Sequence, residues 1–152
     1  MPTLGLCLAL AASAAAPVFV PGTQFTLAWT HSIEKVRWEE DYAVLPAPAP
    51  GAAPVLQATA ARVQGSAAGM EPPPDATLRP DCWYVYQPYT GPLDELRLSR
   101  SPYTADYDWC VDGRCEPMRA IMPTDGDVTL LRPCRTSGTP GADTRTAPLH
   151  PR

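Results

Sequence analysis

Histidine is nearly absent from this chain. Its 152 residues include only His31 and His150. The second lies in the segment Ser137 to Arg152, which has no apolar periodicity and is expected to be a disordered tail. A single histidine in the folded region leaves no tight ligand set for zinc, the cysteines lack the two close Cys-x-x-Cys pairs of a four-cysteine zinc site, and nothing supports calcium, so no metal is expected. A basic excess is also missing. The formal charge is −4, with basic residues scattered rather than striped, so nucleic acid is not an expected partner. No apolar run reaches the roughly 20 residues of a transmembrane helix. No Gly-x-Ser-x-Gly elbow is present either: Gly65 and Gly69 have that spacing, but Ala67 stands where the serine is needed. The same loop is not a phosphate loop, because no lysine follows Gly69 and Pro72-Pro73-Pro74 occupies the place where a helix would start. No cofactor is expected.

What the chain does have is proline and glycine, 20 and 10 residues, which leave little room for long helices. The period of two puts Phe25, Leu27, Trp29 and His31 on one face of a first strand and Trp38, Glu40, Tyr42 and Val44 on one face of a second. Further strands are read at Val55–Gln64, Cys82–Tyr86, Leu93–Ser99, Tyr107–Val111, Arg114–Met118 and Asp127–Cys134. Pro117 to Pro123 is the place for one short helix. Many short strands punctuated by turns argue for an all-β fold: a single antiparallel β-sandwich or partly open barrel.

Residues 1–16 form a short apolar run ending in small residues, with Ala12-Ser13-Ala14 as a cleavage motif. They read as an export signal, either cleaved or retained as a membrane attachment. The compact β domain is then expected over 18–135, and the tail over 136–152. Removing the leader removes Cys7 and leaves Cys82, Cys110, Cys115 and Cys134. Four cysteines allow three pairings, and Asp112-Gly113 selects one, because this dipeptide favours a type I′ hairpin turn. Val111 and Arg114 then flank the turn, and Cys110 faces Cys115 at a non-hydrogen-bonded pair with Cα atoms about 4.5 Å apart. Cys110–Cys115 is expected, which leaves Cys82–Cys134. An exported, oxidising compartment suits both.

The motifs Thr30-His31-Ser32-Ile33-Glu34, Trp38-Glu39-Glu40, Gly65-Ser66-Ala67-Ala68-Gly69-Met70-Glu71 and Cys110-Val111-Asp112-Gly113-Arg114-Cys115 together resemble the bacterial domain of unknown function 1850 (DUF1850) family. The resemblance runs from about residue 24 to residue 134. Ala67 departs from it, standing where glycine is usual. It implies a small exported or membrane-anchored protein, often encoded beside tripartite periplasmic transporters, and hence a periplasmic accessory role with a transporter component as partner. It implies no activity and no ligand.

The candidate site follows from strand parity. His31 lies on the face of Trp29, near Glu34, and Glu40 shares its face with Trp38 and Tyr42. Glu39 and Asp41 point the other way and read as solvated charges, and the plain alternative for Glu34 is a pair with Lys35 or Arg37 across the connection. Gly65 and Gly69 call for special backbone geometry, and Met70 either plugs the core or meets a partner. Two functions compete. One is a noncatalytic envelope accessory protein that contacts a transporter through an exposed apolar patch. The other is a small-solute binding or sensing domain with a concave site around His31 and Glu40. A hydrolase is a remote third, requiring Ser32 or Ser66 within hydrogen-bond reach of His31.

Overall fold

The computed structural model describes residues 3–30, 35–65, 75–88 and 90–136. It is built almost entirely of antiparallel strands in two sheets. In chain order the strands are β1 (Thr3–Leu10), β2 (Val18–Pro21), β3 (Gln24–Thr30), β4 (Arg37–Leu45), β5 (Val55–Gln64), β6 (Thr77–Leu78), β7 (Trp83–Tyr86), β8 (Leu96–Ser99), β9 (Asp108–Val111), β10 (Arg114–Pro117) and β11 (Val128–Thr136). One 3-10 turn, Met118–Ala120, falls inside the stretch expected to carry a helix, and its Met118 is fully buried.

One sheet has four strands in the order β2-β1-β11-β8, the other seven in the order β10-β9-β3-β4-β5-β7-β6. Neither closes on itself, so the architecture is an open β-sandwich. The alternation that defines the strands also defines the core. Phe25, Leu27, Tyr42, Val44, Leu56, Ala58 and Trp109 from the larger sheet meet Leu6, Leu8, Leu98 and Leu131 from the smaller, with Met118 and Met122 at one side. Burying each leucine of this kind stabilises the fold by about 1.5–3 kcal/mol relative to exposure. Phe25 stacks on both neighbours, 4.5 Å from Trp109 and 5.3 Å from Tyr42 between ring centroids. That stack ties β9, β3 and β4 together.

The segment 1–16, expected as an export leader, contributes β1. This strand lies between β2 and β11, with Leu8 opposite both Val18 and Leu131. The strands described here run from Thr3 in β1 to Thr136 in β11. Placing β1 there changes the cysteine pairing. Cys134 bonds Cys7, not Cys82 as the even-set argument expected. The register puts Cys134 opposite Gly5 and Arg132 opposite Cys7, so the two cysteines are diagonal neighbours with Cα atoms 6.0 Å apart. Cys82 sits before β7 in the other sheet and is an exposed free thiol.

The second disulfide is Cys110–Cys115. Asp112 and Gly113 both take positive φ, 52° and 78°, and the register pairs Val111 with Arg114 and Cys110 with Cys115, as the turn chemistry requires. The 66–74 loop, with Gly69 and Met70, and the C-terminal segment 137–152 lie outside the described residues, as do His31, Ser32, Ile33 and Glu34.

Candidate functional site

The outer face of the larger sheet carries an ion-pair network. Register aligns Asp108, Ala28, Glu39 and Arg62 across four strands. Arg37 on β4 donates to Glu39 at 2.9 Å and reaches past β3 to Asp108 at 3.0 Å. Arg62 donates to Glu39 at 2.6 Å and to both oxygens of Asp41 at 3.0 and 3.1 Å. The Thr26 hydroxyl donates to Asp41 at 2.6 Å. Glu39 and Asp41 are thus paired charges over a sheet surface, rather than freely solvated ones. Strand parity sent them outward correctly, but each adjoining strand then supplied an arginine or hydroxyl. Burial alone would raise both carboxyls; Arg62, with Arg37 on Glu39 and Thr26 on Asp41, outweighs it and holds them below their ordinary values.

Glu40 lies on the inner face, between Leu27 and Ala61 in the register. It accepts a hydrogen bond from the Tyr42 hydroxyl at 2.8 Å. Burial, and then the Glu40 charge, pushes the Tyr42 phenol well above its ordinary value, and the same two causes raise Tyr86. Tyr107 is raised by burial, then by Glu40 and Asp106. Glu40 is therefore ringed by tyrosines that stay protonated.

Gly65, the other candidate among the described residues, takes φ of +66° with open space where a Cβ would stand. Its N–H donates to the Cys82 carbonyl. The register places Trp38 opposite Val63 and Glu40 opposite Ala61. Gly65 thus stands at the sheet end nearest the β3–β4 connection, roughly 13 Å along the strand from Glu40's partner. Glu40 and Gly65 are not brought together. His31, Glu34, Gly69 and Met70 lie outside the described residues.

A concavity does form at that sheet end, and most of its lining was not singled out from the sequence. Trp29, Thr30, Lys35, Ser99, Tyr103, Thr104, Ala105 and Tyr107 line a recess of about 500 Å³. A neighbouring hollow of about 330 Å³ shares Trp29, Thr30 and Ala105 and adds Arg37, Asp106, Asp108, Pro117 and Arg119. Trp29 is the common wall; its ring lies 6.3 Å from Trp38 and 6.0 Å from Tyr107. Trp38 Nε1 is buried with no hydrogen-bond partner among the described residues.

The far wall is fixed by a buried clamp. The Arg100 side chain has 0% exposure. It donates to Asp106 Oδ1 and Oδ2 at 3.0 and 3.1 Å and to Thr129 Oγ1 at 3.0 Å. Asp106 also accepts the backbone N–H groups of Tyr107 at 2.9 Å and Arg119 at 2.7 Å. Burial works against the Asp106 carboxylate, but Arg100 and the two N–H groups prevail and hold its pKa low. The loop carrying Tyr103, Thr104 and Ala105 is thereby closed at its base. A smaller recess of about 250 Å³ lies by the Cys110–Cys115 hairpin, lined in part by Gln24, Thr26, Asp41 and Thr59.

Among the described residues no group of three or more His, Cys, Asp or Glu could hold a metal ion, and no helix is long and apolar enough to cross a membrane. The fold and this sheet-end recess define a small open β-sandwich with an ion-paired outer face and an aromatic hollow. The chain belongs to the DUF1850 family, whose model, described as a domain of unknown function, matches residues 25–118. The match takes in nearly all of the seven-stranded sheet and β8. Neither the curated proteins nor the solved structures contain a match to this chain.

Proposed function

We propose that this chain is a noncatalytic, exported accessory protein of a solute transporter that works by binding a small solute. The observation that carries the binding reading is the Trp29 recess. Its volume falls in the range of small-molecule sites, and its wall is tied to the core by the buried Arg100–Asp106 clamp. The transporter association is the role that the DUF1850 resemblance implies. Two disulfides support an oxidising compartment such as the periplasm.

Docking to a transporter component through an apolar patch is the rival reading. Among the described residues, the large exposed hydrophobics Leu45, Leu78, Tyr103 and Val111 sit on four separate elements, which favours the recess over a patch. The reading is tested by thermal unfolding of wild type and Trp29→Ala against a library of small solutes. A solute at about 100 times its Kd adds roughly 2.7 kcal/mol to the folded state, a rise of several degrees for a domain of this size. Such a rise in wild type, lost in Trp29→Ala, supports the proposal. A library without a single Trp29-dependent rise overturns it.

A further inference from the structure

Among the described residues, the carboxylates around the recess are already committed. Asp106 accepts four hydrogen bonds, two from Arg100 and one each from the Tyr107 and Arg119 N–H groups. That fills the lone-pair sites of a carboxylate. Asp108 is engaged by Arg37, which also holds Glu39. The cations are not all committed. Lys35 and the Arg119 guanidinium have no hydrogen-bond or ion-pair partner among the described residues, yet each lines one of the two joined hollows.

Lys35 is also the only lysine in the chain, and its backbone adopts φ of +60°. That conformation is uncommon for a residue with a Cβ and costs about 1 kcal/mol. Non-glycine residues held this way cluster at ligand clamps. The remaining polar lining, from Thr30, Ser99, Tyr103, Thr104 and Tyr107, supplies hydroxyls that can donate. Beside them stand the rings of Trp29 and Tyr107.

We infer that the recess takes a small organic anion, a carboxylate with a flat or apolar body. The body stacks on Trp29 and the carboxylate meets Lys35, with Arg119 as a second cation at the adjoining hollow. This rests on the recess being a solute site at all, so the test separates the two ideas by holding shape constant and changing charge. The full-length oxidised protein is titrated with benzoate, benzyl alcohol and benzylamine. The Trp29 indole N–H resonance, assigned with Trp29→Phe, is followed by NMR. Benzoate is expected to shift it saturably and more tightly than the other two. Lys35→Gln is expected to weaken benzoate by about tenfold, as loss of one charge-assisted contact does, whereas Lys35→Arg retains most of the affinity. Unchanged resonances of the other indoles show that the variants stay folded. Tighter binding of benzylamine or benzyl alcohol at Trp29 overturns the anionic class and leaves the solute site standing. If no probe shifts Trp29 saturably, both ideas fall. Equal benzoate affinity in wild type and Lys35→Gln removes Lys35 from the site and overturns the assignment.

Discussion

Arg62 and Arg100 show how position decides what an arginine contributes. Arg62 lies half-buried on the outer face and bridges Glu39 and Asp41. Both carboxyls have lowered folded-state pKa values, with burial opposing and the arginine bonds prevailing. Their stabilisation is therefore complete above about pH 5 and is lost as pH falls through the ordinary carboxylate range to the lower folded value. Arg62→Met is expected to cost about 1.5 kcal/mol at pH 7. The difference from wild type should narrow by pH 3, as urea unfolding at both pH values will show. A cost that stays the same at pH 3 would mean that the ionisation of Glu39 and Asp41 is not its source. Arg100 is a harsher case. Its side chain is fully buried on Asp106 and Thr129, so Arg100→Met leaves a buried carboxylate without its cation and should cost about 3–5 kcal/mol. Guanidinium unfolding checks the size. A cost under about 1 kcal/mol would show that the two N–H groups on Asp106 suffice.

At the scale of elements, the strands with strong alternation were legible. Phe25-x-Leu27-x-Trp29 and Tyr42-x-Val44 declare their buried faces, and Asp112-Gly113 fixes its hairpin register without any distant contact. Three things were not legible, each because it depends on nonlocal pairing. Thr3–Leu10 has the composition of an export leader, and only β2 and β11 on its two sides make it a strand. The recess needs Ala28 opposite Asp108, which draws Tyr107 beside Trp29 from nearly 80 positions away along the chain. The clamp needs Arg100, folded back on Asp106, to meet Thr129 on β11, 29 positions along the chain. Of the site residues read from sequence, Glu40 turned inward with its strand and Gly65 stands near the β3–β4 connection, but neither lines the recess described here. Gly5 offers a test of the β1 pairing. A Cβ there would run into the Val20 carbonyl and the Phe19 ring on β2, so Gly5→Ala should destabilise by about 1–3 kcal/mol through overpacking. A neutral result in thermal unfolding would show that β2 yields easily, as an edge strand can.

At the scale of the whole molecule, one covalent bond joins the first and last of the described strands. Cys7–Cys134 joins β1 to β11 across a sequence separation of 127 residues, whereas Cys110–Cys115 spans 5. In the chain-entropy account the long bridge stabilises by about 5 kcal/mol and the short one by about 2. Thiol trapping followed by peptide mapping should find Cys82 alone alkylated in oxidised protein. The consequence for the N-terminal segment is sharper. A chain beginning at Pro17 lacks Leu6 and Leu8, both buried in the core, and leaves β11 with an unpaired edge and Cys134 without its partner. Losing two buried leucines removes about 3–6 kcal/mol, and with the bridge this approaches the whole stability of a typical domain, about 5–15 kcal/mol. That shortened chain is expected to show poor amide dispersion and no cooperative melt, while Cys7→Ser/Cys134→Ser in the full chain still folds with a lower melting temperature. The pair of measurements separates strand from bridge. If the shortened chain instead folds cooperatively with Cys82 bonded to Cys134, then β1 is dispensable, residues 1–16 are free to serve as an export leader, and the even-cysteine pairing is the one the mature sandwich uses.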